Sequence, residues 1–156
     1  MEQLVTSLLL WLAANSTFDV STLKPPPIVL MSPEEMTSMY YRESGRSPGA
    51  IKVDARVQGY FRRLGPDAGT VYMIAPESVP GAADYSDPRQ NPIFQERLLH
   101  ELVHYVQWSS GEYERFICPA QGEIAAYQLG GRYLRSVGAI DPIKSREFWI
   151  PLVSRC

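Results

Sequence analysis

Histidine is almost missing from this chain: there are two in 156 residues, and they stand four apart, as His100 and His104. Basic runs are missing too. Lys and Arg total 15 against 17 Asp and Glu, for a net charge near −2. No lysine- or arginine-rich stretch offers phosphates a footprint, so nucleic acid is excluded as an expected partner. No long hydrophobic run is present. The longest, Leu4 to Ala14, is too short to cross a bilayer, so no transmembrane segment is expected. It has about the length of an export-signal core, but the residues before it, Met-Glu-Gln, are acidic where such a signal is basic. Leu4, Leu8, Trp11 and Leu12 also recur at helical spacing, which favours a core-facing helix over a signal. Internal repeats and low-complexity segments are absent.

Cysteine is scarce as well. Cys118 and Cys156 could pair, tying the C-terminus to the body and suiting a secreted or periplasmic setting, or could be two free thiols of a cytoplasmic protein. Spacing alone leaves both open, and the rest of the sequence leans slightly to a soluble cytoplasmic protein.

Proline and glycine are plentiful, 13 and 11, and mark substantial loops between a few regular elements. The length suits one domain over residues 1–156. Helices are expected over 2–14, from the Ser32-Pro33-Glu34-Glu35 start to about Tyr41, from Asn91-Pro92 to about Trp108, and from near Pro119 to about Arg135. Lys24-Pro25-Pro26-Pro27 reads as an extended spacer. Strands are expected at 28–31 and 70–74, and more weakly at 50–57. Turns are expected at 44–49 and 65–69, and a long surface loop over 76–90. The apolar stretch 148–153 should pack on the body. The fold class is α+β: a small mixed sheet packed on several helices.

What the chain does hold is His100-Glu101-Leu102-Val103-His104. Residues four apart stand one above the other on a helix, so the two imidazoles can face a single metal ion. Glu101, about 100° further round, lies beside the pair and can take a proton from a metal-activated water. The pattern falls in the middle of a capped, apolar helix, where a metal helix belongs. A hydrolytic zinc site takes three protein ligands and leaves a fourth position open. Glu123, on the next helix, is the expected third ligand. Glu112 and Glu114 are rivals in the intervening turn. The small residues Ala125 and Ala126 would let the two helices approach closely.

The HExxH pattern followed by Glu123 resembles the gluzincin branch of zincin metallopeptidases, over roughly residues 70 to 135. The resemblance implies a minimal zincin fold with one zinc ion per chain, held by His100, His104 and Glu123, and Glu101 as general base. It also implies that strand 70–74 is the edge strand pairing with an extended peptide or protein substrate. One departure is plain: many gluzincins carry an aspartate four residues after the third ligand, and this chain has Tyr127 there. No third histidine can stabilise an oxyanion, so Tyr127, Tyr85 and Arg132 are the candidates for that role. Tyr105 and Trp108 should pack the far side of the metal helix.

The expected activity is zinc-dependent peptide hydrolysis. The alternative is a catalytically weak or inactive binding or regulatory module of zincin fold, motivated by Tyr127 and the missing oxyanion histidine. A third possibility is that the apolar tail 148–153 folds into the cleft and blocks it. Substrate, cleavage preference and oligomeric state are not legible.

Overall fold

The structure, a computed structural model, describes residues 1–47, 49–65 and 67–156; Pro48 and Pro66, within the two expected turns, lie outside the described residues. Among the described residues, five α-helices accompany a three-stranded sheet: α1 (Glu2–Asn15), β1 (Ile28–Met31), α2 (Pro33–Glu43), β2 (Gly59–Arg62), β3 (Thr70–Ile74), α3 (Pro92–Ser109), α4 (Glu123–Ser136) and α5 (Arg146–Val153). The class is α+β, as the pattern of helices and short strands predicts.

Local chemistry accounts for most of these boundaries. Ser32 and Glu35 form a reciprocal capping box at the start of α2, each side chain bonding the other's backbone. Asn91 caps α3 by accepting from the Ile93 amide at 2.9 Å, and its own amide donates to Pro80 O at 2.9 Å. That second bond ties the helix start to the preceding loop. Gly111 follows α3 at φ +72°, a conformation costly for any residue with a Cβ. The loop 76–90 is organised as three short 3₁₀ turns, at Pro76–Ser78, Ala82–Asp84 and Pro88–Gln90.

The sheet order is β1-β3-β2, with β1 parallel and β2 antiparallel to β3. Two sequence expectations change here. Strand 70–74 is central, with a neighbour on each side, so it is not the edge strand available to a substrate; β2 is the edge nearer α3. Nor is there a strand at 50–57. Asp54 turns the chain instead: its amide donates to Thr37 Oγ1 at 2.9 Å, and its carboxylate accepts from the Arg56 amide at 3.0 Å and from the Arg56 guanidinium. A side chain that captures the amide two residues on offers the backbone an alternative to a ladder. The strand begins only after this turn, at Gly59.

A single apolar cluster runs through these elements. Val5, Leu8, Leu9 and Leu12 of α1, Met36 of α2, Val71 and Met73 of β3, and Leu98, Leu99 and Leu102 of α3 all contribute. The expected stripe on α1 is present but rotated: Leu8 and Leu12 are buried, while Leu4 and Trp11 pack at its margin. Tyr105 and Trp108 pack against Phe61 of β2, a residue that lines the cleft, and so sit between α3 and the sheet edge and not on the far side of the helix. The C-terminal stretch is helical and joins the body through Ile150, with Phe148 and Trp149 left exposed. Cys118 and Cys156 are disulfide-bonded across 38 residues. Among the described residues no helix is long and apolar enough to cross a membrane.

Candidate metal centre

His100 and His104 sit one turn apart on α3, their ring centroids 5.0 Å apart and nearly perpendicular. Glu123 is the first residue of α4 and brings one carboxylate oxygen to each ring: Oε2 lies 3.1 Å from His100 Nε2, and Oε1 lies 3.2 Å from His104 Nε2. The two Nε2 atoms are 3.3 Å apart. A tetrahedral shell with bonds of about 2.0–2.1 Å has edges of roughly 3.3–3.4 Å, so the two nitrogens stand about one such edge apart, and each lies close to that distance from one oxygen of the carboxylate. His100, His104 and Glu123 together form a group that could hold a metal ion. The rivals Glu112 and Glu114, in the 3₁₀ turn after α3, take no part in it.

Gln107 orients His104, a role the sequence alone did not reveal. It is fully buried on α3, one turn beyond His104. Its Nε2 donates to Gly122 O at 3.1 Å, and its Oε1 stands 3.1 Å from His104 Nδ1. A carbonyl only accepts, so the amide nitrogen must face Gly122 and the amide oxygen must face the imidazole. His104 therefore carries its proton on Nδ1, and in the neutral ring the Nε2 lone pair points at Glu123 and His100. The available signal was a polar side chain at i+3 from His104, interrupting the buried Val103–Val106 face.

Gly122 permits this arrangement. A Cβ there would stand 2.9 Å from Gln107 Oε1 and 3.5 Å from His104 Nδ1. The close approach of α4 to α3 thus rests on this glycine, together with the small, fully buried Ala126. Gly59 does the same for Glu101: a Cβ on it would meet Glu101 Cγ and Oε1 at 2.7 Å. The Glu101 carboxylate accordingly lies tight against β2.

Burial and charge act in opposite directions on these groups. Burial pushes Glu123 up, but hydrogen bonds and charges from His100 and His104 win and hold it well below the usual carboxylate range. His100 is drawn down by burial, yet the Glu123 hydrogen bond and the charges of Glu101, Glu123 and Glu96 leave it raised. Burial dominates at Glu101, which stays above its ordinary value despite both imidazoles and a backbone hydrogen bond from Phe61.

Around these three side chains lies a cleft of about 680 Å³, bounded by β2, α3, α4 and the segment leading into α5. Tyr127 lines it and meets the His100 ring edge to face, centroids 4.9 Å apart, so it supports that imidazole by packing. The other two oxyanion candidates are elsewhere. Arg132 turns to the Asn15 carbonyl at the end of α1, and Tyr85 lies in the loop before α3, outside the cleft. The phenols that do reach the cleft, besides Tyr127, are Tyr60 of β2 and Tyr113 of the turn after α3, and burial raises the pKa of both. Behind His100, the buried Glu96 pairs with Arg146 at 2.8 Å, and Arg146 also binds Asp141 at 2.7 Å.

No curated protein and no solved structure matches the chain. Its whole length, residues 1–156, matches the family model described as a domain of unknown function (DUF6647), and the protein belongs to that family.

Proposed function

We propose that this protein is a zinc-dependent metallopeptidase, a minimal zincin of the gluzincin kind, with one metal ion held by His100, His104 and Glu123. The observation that carries the reading is the convergence of two imidazole nitrogens and one carboxylate within about 3.3 Å of one another. With the His104 proton fixed on Nδ1 by Gln107, its Nε2 points at a carboxylate oxygen and at a second imidazole nitrogen. Only a proton or a cation placed among three such atoms relieves their repulsion. Two imidazoles and a carboxylate suit zinc better than magnesium or calcium, which prefer all-oxygen shells.

A zinc ion held here would supply a Lewis acid for the scissile carbonyl and lower the pKa of a coordinated water toward neutrality. The remaining work belongs to the chain. Glu101, kept basic by burial and held in place by Gly59 and the Phe61 amide, takes the proton of the attacking water and delivers it to the leaving amine. The free edge of β2 beside Glu101 provides backbone groups against which an extended peptide can lie. The packed tail does not require a blocking role, since α5 already buries Ile150 and Arg146 against the body.

One observation favours a catalytically silent binding module instead: Tyr127 packs against His100 where a carboxylate would raise the basicity of the ring. The same variant separates the two readings. Glu101→Gln is expected to keep its zinc and lose peptide hydrolysis by about 10²–10⁴-fold. Hydrolysis at the parental rate in that variant would remove Glu101 as base, and zinc-loaded parent protein without turnover would leave the binding module. The Cys118–Cys156 bond supports an oxidising compartment for the protein, since such pairs are rare in reducing cytosol.

A further inference from the structure

The cleft holds four arginines, and three of them are committed. Arg56 is bound to Asp54 at 2.6 Å, Arg146 lies between Glu96 and Asp141, and Arg63 stands over the Tyr113 ring at 4.3 Å. Arg97 is the exception. It lies four residues before Glu101, on the same face of α3, and it lines the same cleft. Its Nη1 is buried yet meets no hydrogen-bond acceptor among the described residues. Of the cleft acids, Glu96 pairs with Arg146 and Glu123 with the two imidazoles, while Glu101 lies against Gly59. A buried guanidinium donor without a partner is unfavourable, and burial draws the Arg97 pKa down despite the attraction of Glu96. Among the described residues no hydrogen bond or ion pair holds Nη1, so rotation about the terminal side-chain bonds can present it to the cleft.

We infer that Arg97 is a specificity-determining residue that receives a carboxylate of the substrate, so that the cleft selects peptides with an acidic group close to the scissile bond. The inference rests on the peptidase reading and adds the substrate class to it. Four helical residues advance about 6 Å, and an extended peptide advances roughly 3.3 Å per residue. The carboxylate therefore sits one or two residues from the bond attacked beside Glu101. An acidic side chain and a free C-terminal carboxylate present the same planar acceptor to a guanidinium fork.

The test uses quenched peptides in matched pairs, Asp against Asn and Glu against Gln, at the two positions on either side of the cleaved bond. A further pair compares free with amidated C-termini and separates the two sources of carboxylate. The zinc-loaded protein is expected to favour the acidic member of at least one pair by roughly tenfold or more in kcat/KM. Arg97→Gln should bring that ratio close to one, and Arg97→Lys should retain part of it. Equal cleavage of acid and amide, or a ratio unchanged in Arg97→Gln, overturns the assignment. Zinc content and circular dichroism report whether each variant is folded; should Arg97→Gln not fold, the ratio in Arg97→Lys decides, and an undiminished preference there counts against Arg97. If no peptide is cleaved at all, the peptidase reading fails separately. The same pairs are then titrated calorimetrically onto zinc-loaded Glu101→Gln, where equal affinity for acid and amide overturns the carboxylate site itself.

Discussion

Gln107 shows how much of this site depends on one amide. Its two ends bind different partners, the His104 ring and the Gly122 carbonyl, so it fixes a tautomer and a helix position together. Gln107→Leu keeps the approximate volume but removes both bonds, leaving a buried imidazole N–H without an acceptor. Zinc affinity should fall by about 10–100-fold, read by competition with a chelating dye; unchanged affinity would show that Gln107 merely fills space. His100, Glu101 and His104 were legible in the sequence because their relation is local, set by helical spacing alone. Glu123 was expected to return to the pair from the next helix, and the fold does bring its carboxylate to both rings. The role of Gln107 was not legible, since it exists only once the Gly122 carbonyl arrives from another element. The oxyanion candidates Tyr85 and Arg132 failed for the same reason: residue type made them suitable, but their positions in the fold turn them elsewhere.

Among elements, the pairing of α3 with α4 builds the centre, and the contact is closest where Gly122 meets Gln107 and His104. Gly122 has ordinary helical φ, so its value lies in the missing side chain and not in backbone freedom. Gly122→Ala should cost about 1–3 kcal/mol of stability through overpacking. It should also weaken zinc binding, because relief comes by moving the start of α4, and Glu123 with it. Denaturant melts and zinc titration of one variant check both effects; loss of neither would mean the helices have room to spare. The starts of α2 and α3 were written in caps and prolines, at Ser32 and Asn91, whereas the helix expected from near Pro119 opens as a 3₁₀ turn and α4 begins only at Glu123. The sheet was less legible. β2 is only four residues long, and its start depends on the Asp54 turn that Thr37, on α2, helps to hold. Strand 70–74 was placed correctly, but whether it was central or edge depended on finding β2.

Over the whole molecule, the disulfide and the buried Arg146 ion pairs fasten the C-terminal segment beside the cleft. Closing a loop of 38 residues contributes roughly 4 kcal/mol by the chain-entropy account. Two cysteines in a sequence leave such a pairing open, because only the folded path of the chain brings residue 156 back to residue 118. Metal-free protein should carry the marks of the crowded centre in its pH dependence. Glu123, held low, contributes stability that is present above about pH 4.3 and lost as pH falls through its folded value. His100, held high, contributes stability that is present below about pH 6.5 and lost as pH rises through its folded value. Glu101, also held high, loses stability in the same direction, starting near about pH 4.3. Metal-free protein is therefore expected to melt lower at about pH 8 than at about pH 5.5, with added zinc reversing the order because metal binding needs unprotonated rings. A metal-free melting temperature that rises steadily over this interval would contradict that picture of the centre.

The central claim is that His100, His104 and Glu123 hold one metal ion, and zinc stoichiometry by elemental analysis tests it most directly. Protein stripped of metal, reconstituted with zinc and dialysed should retain one zinc per chain. His104→Ala and Glu123→Ala, treated identically, should retain little or none. Parent protein that emerges without zinc, or variants that hold as much as the parent, would contradict the account.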